Sequence, residues 1–165
     1  MSKHQAVKAP ALDPMTLKPR TGSGYPAPFK AVVAAREKRA LGDATGLTHF
    51  GVNLVRLPPG TSSALRHWHT KEDEFVYILE GEVDLVADAG TQILGPGMAA
   101  GFPAGHPDGH QLVNRSQRDV VYLEVGDRRP GDEVEYPGVD LRLASIDGKD
   151  VFVHKDGRPW EPGEK

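Results

Sequence analysis

From Leu47 onward, apolar and polar residues alternate with a period of two, in short runs cut by glycine and proline. "LTHFGVNLVRL" ends at Pro58-Pro59-Gly60, "ALRHWH" in the polar turn from Thr70 to Asp73, "EFVYIL" at Glu80-Gly81 and "EVDLVA" at Asp88 to Gly90. "TQIL" stops at Gly95-Pro96-Gly97; "HQLVN" and "VVYLEV" follow, with "RSQRD" between them. Alternate residues of a strand share a face, and short strands closely spaced between turn signals predict an all-β sandwich or barrel. "DLRLASIDGKDVFVHK" predicts a terminal hairpin turning at Asp147-Gly148. Helical periodicity is scarce, and one helix is expected over "PFKAVVAAREKRALGD", with Gly42 as its stop. Residues 1–30 carry Pro10, Pro14, Pro19, Pro26 and Pro28 and no period, which predicts an arm, disordered at its tip and laid over the core further on. The chain thus divides into an arm at 1–45, a β core at 46–127 and a C-terminal extension with the hairpin at 128–165.

Composition narrows the class. A length of 165 residues suits one domain with a real core. The net charge is −3 and no run of Lys or Arg exceeds two residues, so nothing marks a nucleic-acid or anionic-membrane surface. No apolar run reaches the roughly 18 residues of a spanning helix. The opening "MSKHQAVKAPALDPM" lacks an apolar signal core, so a cytoplasmic location is expected. With no cysteine, disulfides and thiolate metal sites are excluded.

The chemistry concentrates in "RHWHTKEDEFVYILEGE", residues 66–82. His67 and His69 share a face only if this stretch is extended, and two imidazoles on one face can hold a divalent metal at roughly 2.0–2.2 Å with help from another strand. Glu72, Asp73 and Glu74 compete for the carboxylate. Glu74 shares parity with Val76 and Ile78, the aliphatic positions expected to face inward, and an inward carboxylate is costly without a cation. A second cluster, "GPGMAAGFPAGHPDGHQLVN", offers His110, in phase with Leu112 and Asn114, and His106, in a loop at the rim. Taken singly, each has a plainer explanation: edge-strand surface histidines, a hydrogen-bonded core histidine, a solvated carboxylate at a strand start. His49 and His154 read as ordinary strand or surface residues, His4 as part of the arm, and Asn114 as a structural turn residue.

Gly60…His67-Trp68-His69…Glu74…Gly81 resembles the first cupin motif, G-x5-H-x-H-x3/4-E-x6-G. Gly97…Pro103-Ala104-Gly105…His110…Asn114 resembles the second, G-x5-P-x-G-x2-H-x3-N. There are two departures: six residues separate Gly60 from His67, and four separate Gly105 from His110. The second leaves His106 in competition with His110, although His110 keeps the motif's spacing to Asn114. The resemblance covers 60–114 by motif and roughly 47–127 by strand pattern. It implies a small antiparallel β-barrel (a jelly roll, or double-stranded β-helix) with His67, His69, Glu74 and His110 around a metal in its mouth. Sulfur-free N/O ligands suit one divalent Mn, Fe, Ni, Co, Cu or Zn per chain.

Within the family the resemblance favours compact single-domain proteins labelled sugar-phosphate isomerases. The expected function is therefore a metal-dependent enzyme on a small polar metabolite, with isomerase-type sugar or sugar-phosphate chemistry. The alternatives are an Fe(II) dioxygenase and a non-catalytic ligand-binding or sensing module. His106 is the candidate acid–base residue; Tyr77 and Glu124 are further conceivable ones. No P-loop is present to take a phosphate, and Arg56, Arg66, Lys71 and Arg115 are the basic residues near the motifs. "EFVYIL" is apolar on both faces, so its outer face needs a cover, and a homodimer is expected.

Overall fold

The computed structural model describes residues 7–164; the extreme tip of the arm, His4 included, lies outside them. Thirteen strands run in chain order: β1 Arg20–Thr21, β2 Glu37–Ala40, β3 Phe50–Leu57, β4 Trp68–His69, β5 Glu74–Glu80, β6 Val83–Ala87, β7 Gly90–Leu94, β8 Ala99–Phe102, β9 Gln111–Val113, β10 Val120–Asp127, β11 Val134–Glu135, β12 Arg142–Ile146 and β13 Lys149–Val153. The chain is all-β, as the alternation predicts. Its ladders form three sheets, ordered β1-β2-β3-β10-β5-β8, β7-β6-β9 and β13-β12-β11-β4, rather than one continuous cylinder.

One core fills the space between the first two sheets. Val55, Leu57, Val76, Ile78, Val120 and Tyr122 from the large sheet meet Val83, Leu85, Leu94 and Leu112 from the small one. The apolar phase of each strand decides this, since a slip of one residue would turn every one of these side chains to water. Tight turns hold the register. Gly81 sits at φ +77°, and a Cβ there would collide with the Asp119 carbonyl oxygen, so no other residue fits between β5 and β6.

The expected helix over 28–43 is not there. Ala27–Val33 forms a 3-10 helix, Glu37–Ala40 is β2, and only Leu41–Ala44 is α-helical, with Gly42 inside it rather than beyond its end. Helix-forming residues were outweighed by pairing: Glu37, Lys38, Arg39 and Ala40 lie opposite Arg56, Val55, Leu54 and Asn53 of β3. Strand β8, "AAGF", carries too little hydrophobic contrast to be read from sequence, and it pairs with β5 from Glu74↔Phe102 to Tyr77↔Ala99.

The described part of the arm and the C-terminal extension share a second core: Tyr25 and Val33 pack with Val134, Tyr136 and Leu141. The terminal hairpin turns at Asp147-Gly148, at φ +51° and +74°, as expected. Its sheet reaches back to β4 through Val134↔His69 and Glu135↔Trp68. The first-motif histidines are therefore held between the C-terminal sheet and the His67↔His110 bridge, not in a long strand over "ALRHWH".

Candidate metal centre

The large sheet's inner face changes character along its length. Leu57, Ile78 and Val120 line one end; Asn53, Glu74 and Glu124 line the other, where β3, β5 and β10 approach the loops. On β5 the alternation is clean: Val76 and Ile78 are buried, while Phe75, Tyr77 and Leu79 face out, 44%, 39% and 41% exposed. Glu74 thus points inward, as its parity predicts. Its rivals make other contacts: Asp73 accepts from the Ala104 N–H at 2.7 Å, and Glu72, which accepts from the Arg129 N–H at 2.7 Å, stands with Asp132 on the Nδ1 side of His69.

Three imidazoles converge on one oxygen. Glu74 Oε2 lies 3.0 Å from His110 Nε2, 3.3 Å from His67 Nε2 and 3.5 Å from His69 Nε2. Each ring is steered from behind. His67 Nδ1–H donates to the Leu65 carbonyl at 2.8 Å, and His69 Nδ1–H donates to Asp132 Oδ2 at 2.6 Å. His110 stacks flat on Phe102, with ring centroids 3.5 Å apart. With their Nδ1 hydrogens committed, His67 and His69 turn Nε2 lone pairs toward a carboxylate. Such an arrangement is repulsive unless a proton or a cation lies between them.

The electrostatics carry the same tension. Burial opposes ionisation of Glu74, yet hydrogen bonding from His110 and His67 and the charge of the imidazoles hold its carboxyl well below the usual range. Burial also opposes charging His67, but contact with Glu74 raises it above its ordinary value. His110 is lowered by burial, with the neighbouring imidazoles adding to the effect. Metal ligands at about 2.1 Å and right angles stand roughly 3 Å apart. The nitrogen-to-carboxylate spacings here sit at or slightly above that value, and His67, His69 and Glu74 have ligand atoms all within 4.8 Å of one another, while His110 reaches Glu74 without joining that group.

The four residues line a cavity of about 260 Å³ with Glu124, Lys38, Arg36, Tyr25, Tyr122 and Tyr136. Glu124 accepts from Lys38 Nζ at 2.6 Å and from Asn53 Nδ2 at 3.1 Å. Burial pushes the Tyr122 phenol far up, so it remains neutral. His106 is exposed and lines an adjoining cavity of about 210 Å³, which reaches His69, Glu74 and His110 from the other side. Tyr77 faces away. His49 is exposed and lines neither cavity, and His154 is buried against Trp160. Asn114 ties a turn, donating to the Leu57 and Arg118 carbonyls at 2.8 and 2.7 Å.

Sequence reasoning missed Asp132 behind His69, and Arg36, Lys38, Tyr25 and Tyr136, which reach the cavity from outside the motifs. Asp132 lies in a stretch with no period. Arg36 and Lys38 were hidden in the expected helix, though their i, i+2 spacing is that of one strand face.

Comparison with known proteins bears on the whole chain. The Cupin domain family model matches residues 53–126. A crystal structure described as a sugar phosphate isomerase from a cupin superfamily, from Silicibacter pomeroyi DSS-3, is 44% identical, with 92% of this chain and 97% of that one covered and a TM-score of 0.88. The chain belongs to the cupin superfamily. A second similar structure, provisionally named a sugar phosphate isomerase, comes from Acidithiobacillus ferrooxidans ATCC 23270; it is 29% identical over 94% of this chain and 96% of its own, at a TM-score of 0.76. The polyketide cyclase RemF from Streptomyces resistomycificus shares the fold at 24% identity and a TM-score of 0.65, over 80% of this cupin and 87% of its own chain. No curated protein matches by sequence.

Proposed function

We propose that this cupin is a metal-dependent enzyme that isomerises a small sugar or sugar phosphate, with His67, His69, Glu74 and His110 as the metal ligands. The observation that carries the reading is the convergence of three Nε2 atoms on one buried carboxylate oxygen, inside a cavity that also holds a second carboxylate. Similarity to the Silicibacter pomeroyi protein, by its description, supports the reaction class. A divalent ion held there supplies a Lewis acid for a substrate carbonyl or hydroxyl.

The chain's own residues do the rest. Glu124, on β10 beside β5, is oriented by Lys38 and Asn53 toward the same cavity, and a carboxylate so held can take a proton from one carbon and return it to the next. His106 approaches from the adjoining cavity and is the other group able to carry that proton. Tyr25, Tyr122 and Tyr136 supply much of the cavity's wall.

The test is elemental analysis of protein purified with Mn, Fe, Ni, Co, Cu and Zn present, followed by a sugar and sugar-phosphate panel in D₂O. The expected outcome is stoichiometric metal, lost in His67→Ala and Glu74→Gln, with metal-dependent deuterium incorporation during interconversion. Glu124→Gln is expected to lower kcat by about 10²–10⁴-fold, the usual loss of an acid–base group, and His106→Ala run beside it separates the two proton carriers. Oxygen uptake with turnover would instead favour a dioxygenase. A tightly held metabolite without conversion would favour a binding module.

A further inference from the structure

The three imidazoles of the site are not supported alike. His67 Nδ1–H has the Leu65 carbonyl to donate to, and His69 Nδ1–H has Asp132. His110 Nδ1 is buried and has no partner. Its ring lies flat on Phe102, with an interplanar angle of 1°, and a parallel ring cannot accept an in-plane N–H. The other nitrogen, Nε2, is the bonded one, 3.0 Å from Glu74 Oε2. The backbone holds the residue firmly in place, since the His110 N–H donates to the His67 carbonyl at 2.9 Å and the His67 N–H donates back at 3.0 Å. The orphaned nitrogen is thus a property of a well-seated ring.

A neutral imidazole carries one N–H, and its partners decide which nitrogen holds it. Acceptors at Nδ1 give His67 and His69 the tautomer whose Nε2 lone pair is ready for a metal. A carboxylate oxygen at Nε2 and nothing at Nδ1 give His110 the opposite one, with Nε2–H donating to Glu74. To ligate through Nε2, His110 has to surrender that bond, carry its hydrogen on Nδ1 and leave a buried N–H unpaired, a cost that the other two rings do not meet. An acceptor behind a ligating ring also strengthens it as a donor, and His110 has none. The spacing agrees, because His110 stands outside the group formed by the ligand atoms of His67, His69 and Glu74.

We propose that His110 is a displaceable fourth ligand: the metal rests on His67, His69 and Glu74, and His110 keeps its Nε2–H on Glu74. One more coordination position then stays open than four protein ligands would leave. His110 lines the adjoining cavity of about 210 Å³ with His69, Glu74 and His106, so an oxygen ligand entering from that side meets the open position. The inference rests on reading these residues as a metal centre, and it deepens that reading. The ligand class it favours presents two adjacent oxygens, as a hydroxy-carbonyl compound does, because an octahedral ion with only three protein ligands can take such a chelate and keep a water.

The probes are Cu(II) and Co(II) alone, each added at one equivalent to metal-free protein at neutral pH, with metal content measured for every sample. Pulsed electron paramagnetic resonance of the Cu(II) protein counts the coordinated imidazoles, and two are expected in the parent and the same two in His110→Leu. Co(II) affinity, measured by chelator competition, is expected to fall less than about tenfold in His110→Leu and about a hundredfold or more in His67→Ala. Because His110 is buried, the imidazole count of the parent decides the matter if His110→Leu fails to fold. Three coordinated imidazoles in the parent overturn the inference and leave the metal centre standing. An affinity loss in His110→Leu equal to that in His67→Ala does the same. A parent that binds neither ion removes the metal centre and the inference together.

Discussion

His69 is aimed by a residue 63 positions away. Asp132 takes its Nδ1 hydrogen at 2.6 Å and is itself held by the Thr70 hydroxyl at 3.2 Å and the Lys71 N–H at 2.7 Å. A carboxylate behind a ligating imidazole fixes the tautomer and strengthens the donor, and losing one typically weakens metal binding about 10–100-fold. Asp132→Ala should therefore lose about tenfold or more in affinity, measured by competition with a chelator, while Asp132→Asn, which keeps an oxygen acceptor, should lose less. Equal losses in both would mean that Asp132 only packs. Protons compete for the same nitrogens, so metal occupancy should fall as pH drops below roughly 6.5, where free imidazole charges. At this scale much was legible: the parity of Glu74 against Val76 and Ile78 separated it from Glu72 and Asp73. Asp132 was not, because no local pattern says which distant carboxylate a ring nitrogen will find.

Elements behave differently. β2 is four residues of good helix formers, Glu37–Ala40, made into a strand by the edge of β3, and it brings Lys38 into the cavity with Arg36 just before it. At the other terminus, the segment after β13 is clasped through His154. Its Nδ1 meets Asp140 at 2.8 Å and its Nε2 lies 3.2 Å from Glu164, while the ring stacks on Trp160 with centroids 4.0 Å apart. Hydrogen bonding to Asp140, aided by Glu164 and opposed by burial, raises His154 above its ordinary value. The Glu161 N–H and Arg158 bring Glu164 down to about 2. A raised imidazole stabilises the fold fully below its unfolded value, roughly 6.5, and loses that contribution as pH rises through the folded value. A depressed carboxylate does the opposite, contributing above its unfolded value of 4.5 and losing the contribution as pH falls toward about 2. The clasp should thus be strongest between these limits. Melting temperature should decline from pH 6.5 to 8.5 in the parent and less so in His154→Gln; parallel slopes would show that the clasp is not coupled to the fold.

For the whole molecule, the outer face of β5 is the unfinished surface. Phe75, Tyr77 and Leu79 are exposed along it, and Ile93 and Met98 are exposed as well, at 65% and 48%. The described arm and the terminal hairpin pack on the other side, around Tyr136, and leave this face open. Exposed apolar surface of this kind favours association, and the sequence-based expectation of a homodimer falls here. Light scattering at micromolar concentration should give twice the chain mass, and Phe75→Glu with Leu79→Glu should return it to one; a monomeric parent would refute the dimer.

Alternation, turn residues and two histidine-bearing motifs were enough to determine the all-β class, most strand positions, the terminal hairpin and the inward set of Glu74, Val76 and Ile78. These follow from local rules: strand parity and positive-φ glycines act over a few residues, and the chain alone carries them. The three-sheet arrangement, the conversion of the expected helix into β2, the placing of Asp132 behind His69, and the arrival of Arg36, Lys38 and Tyr136 at one cavity were decided only in the folded molecule. Those outcomes depend on pairing and burial between segments tens of residues apart, where the free energy of a long-range contact outweighs local propensity and leaves no periodic mark in the sequence.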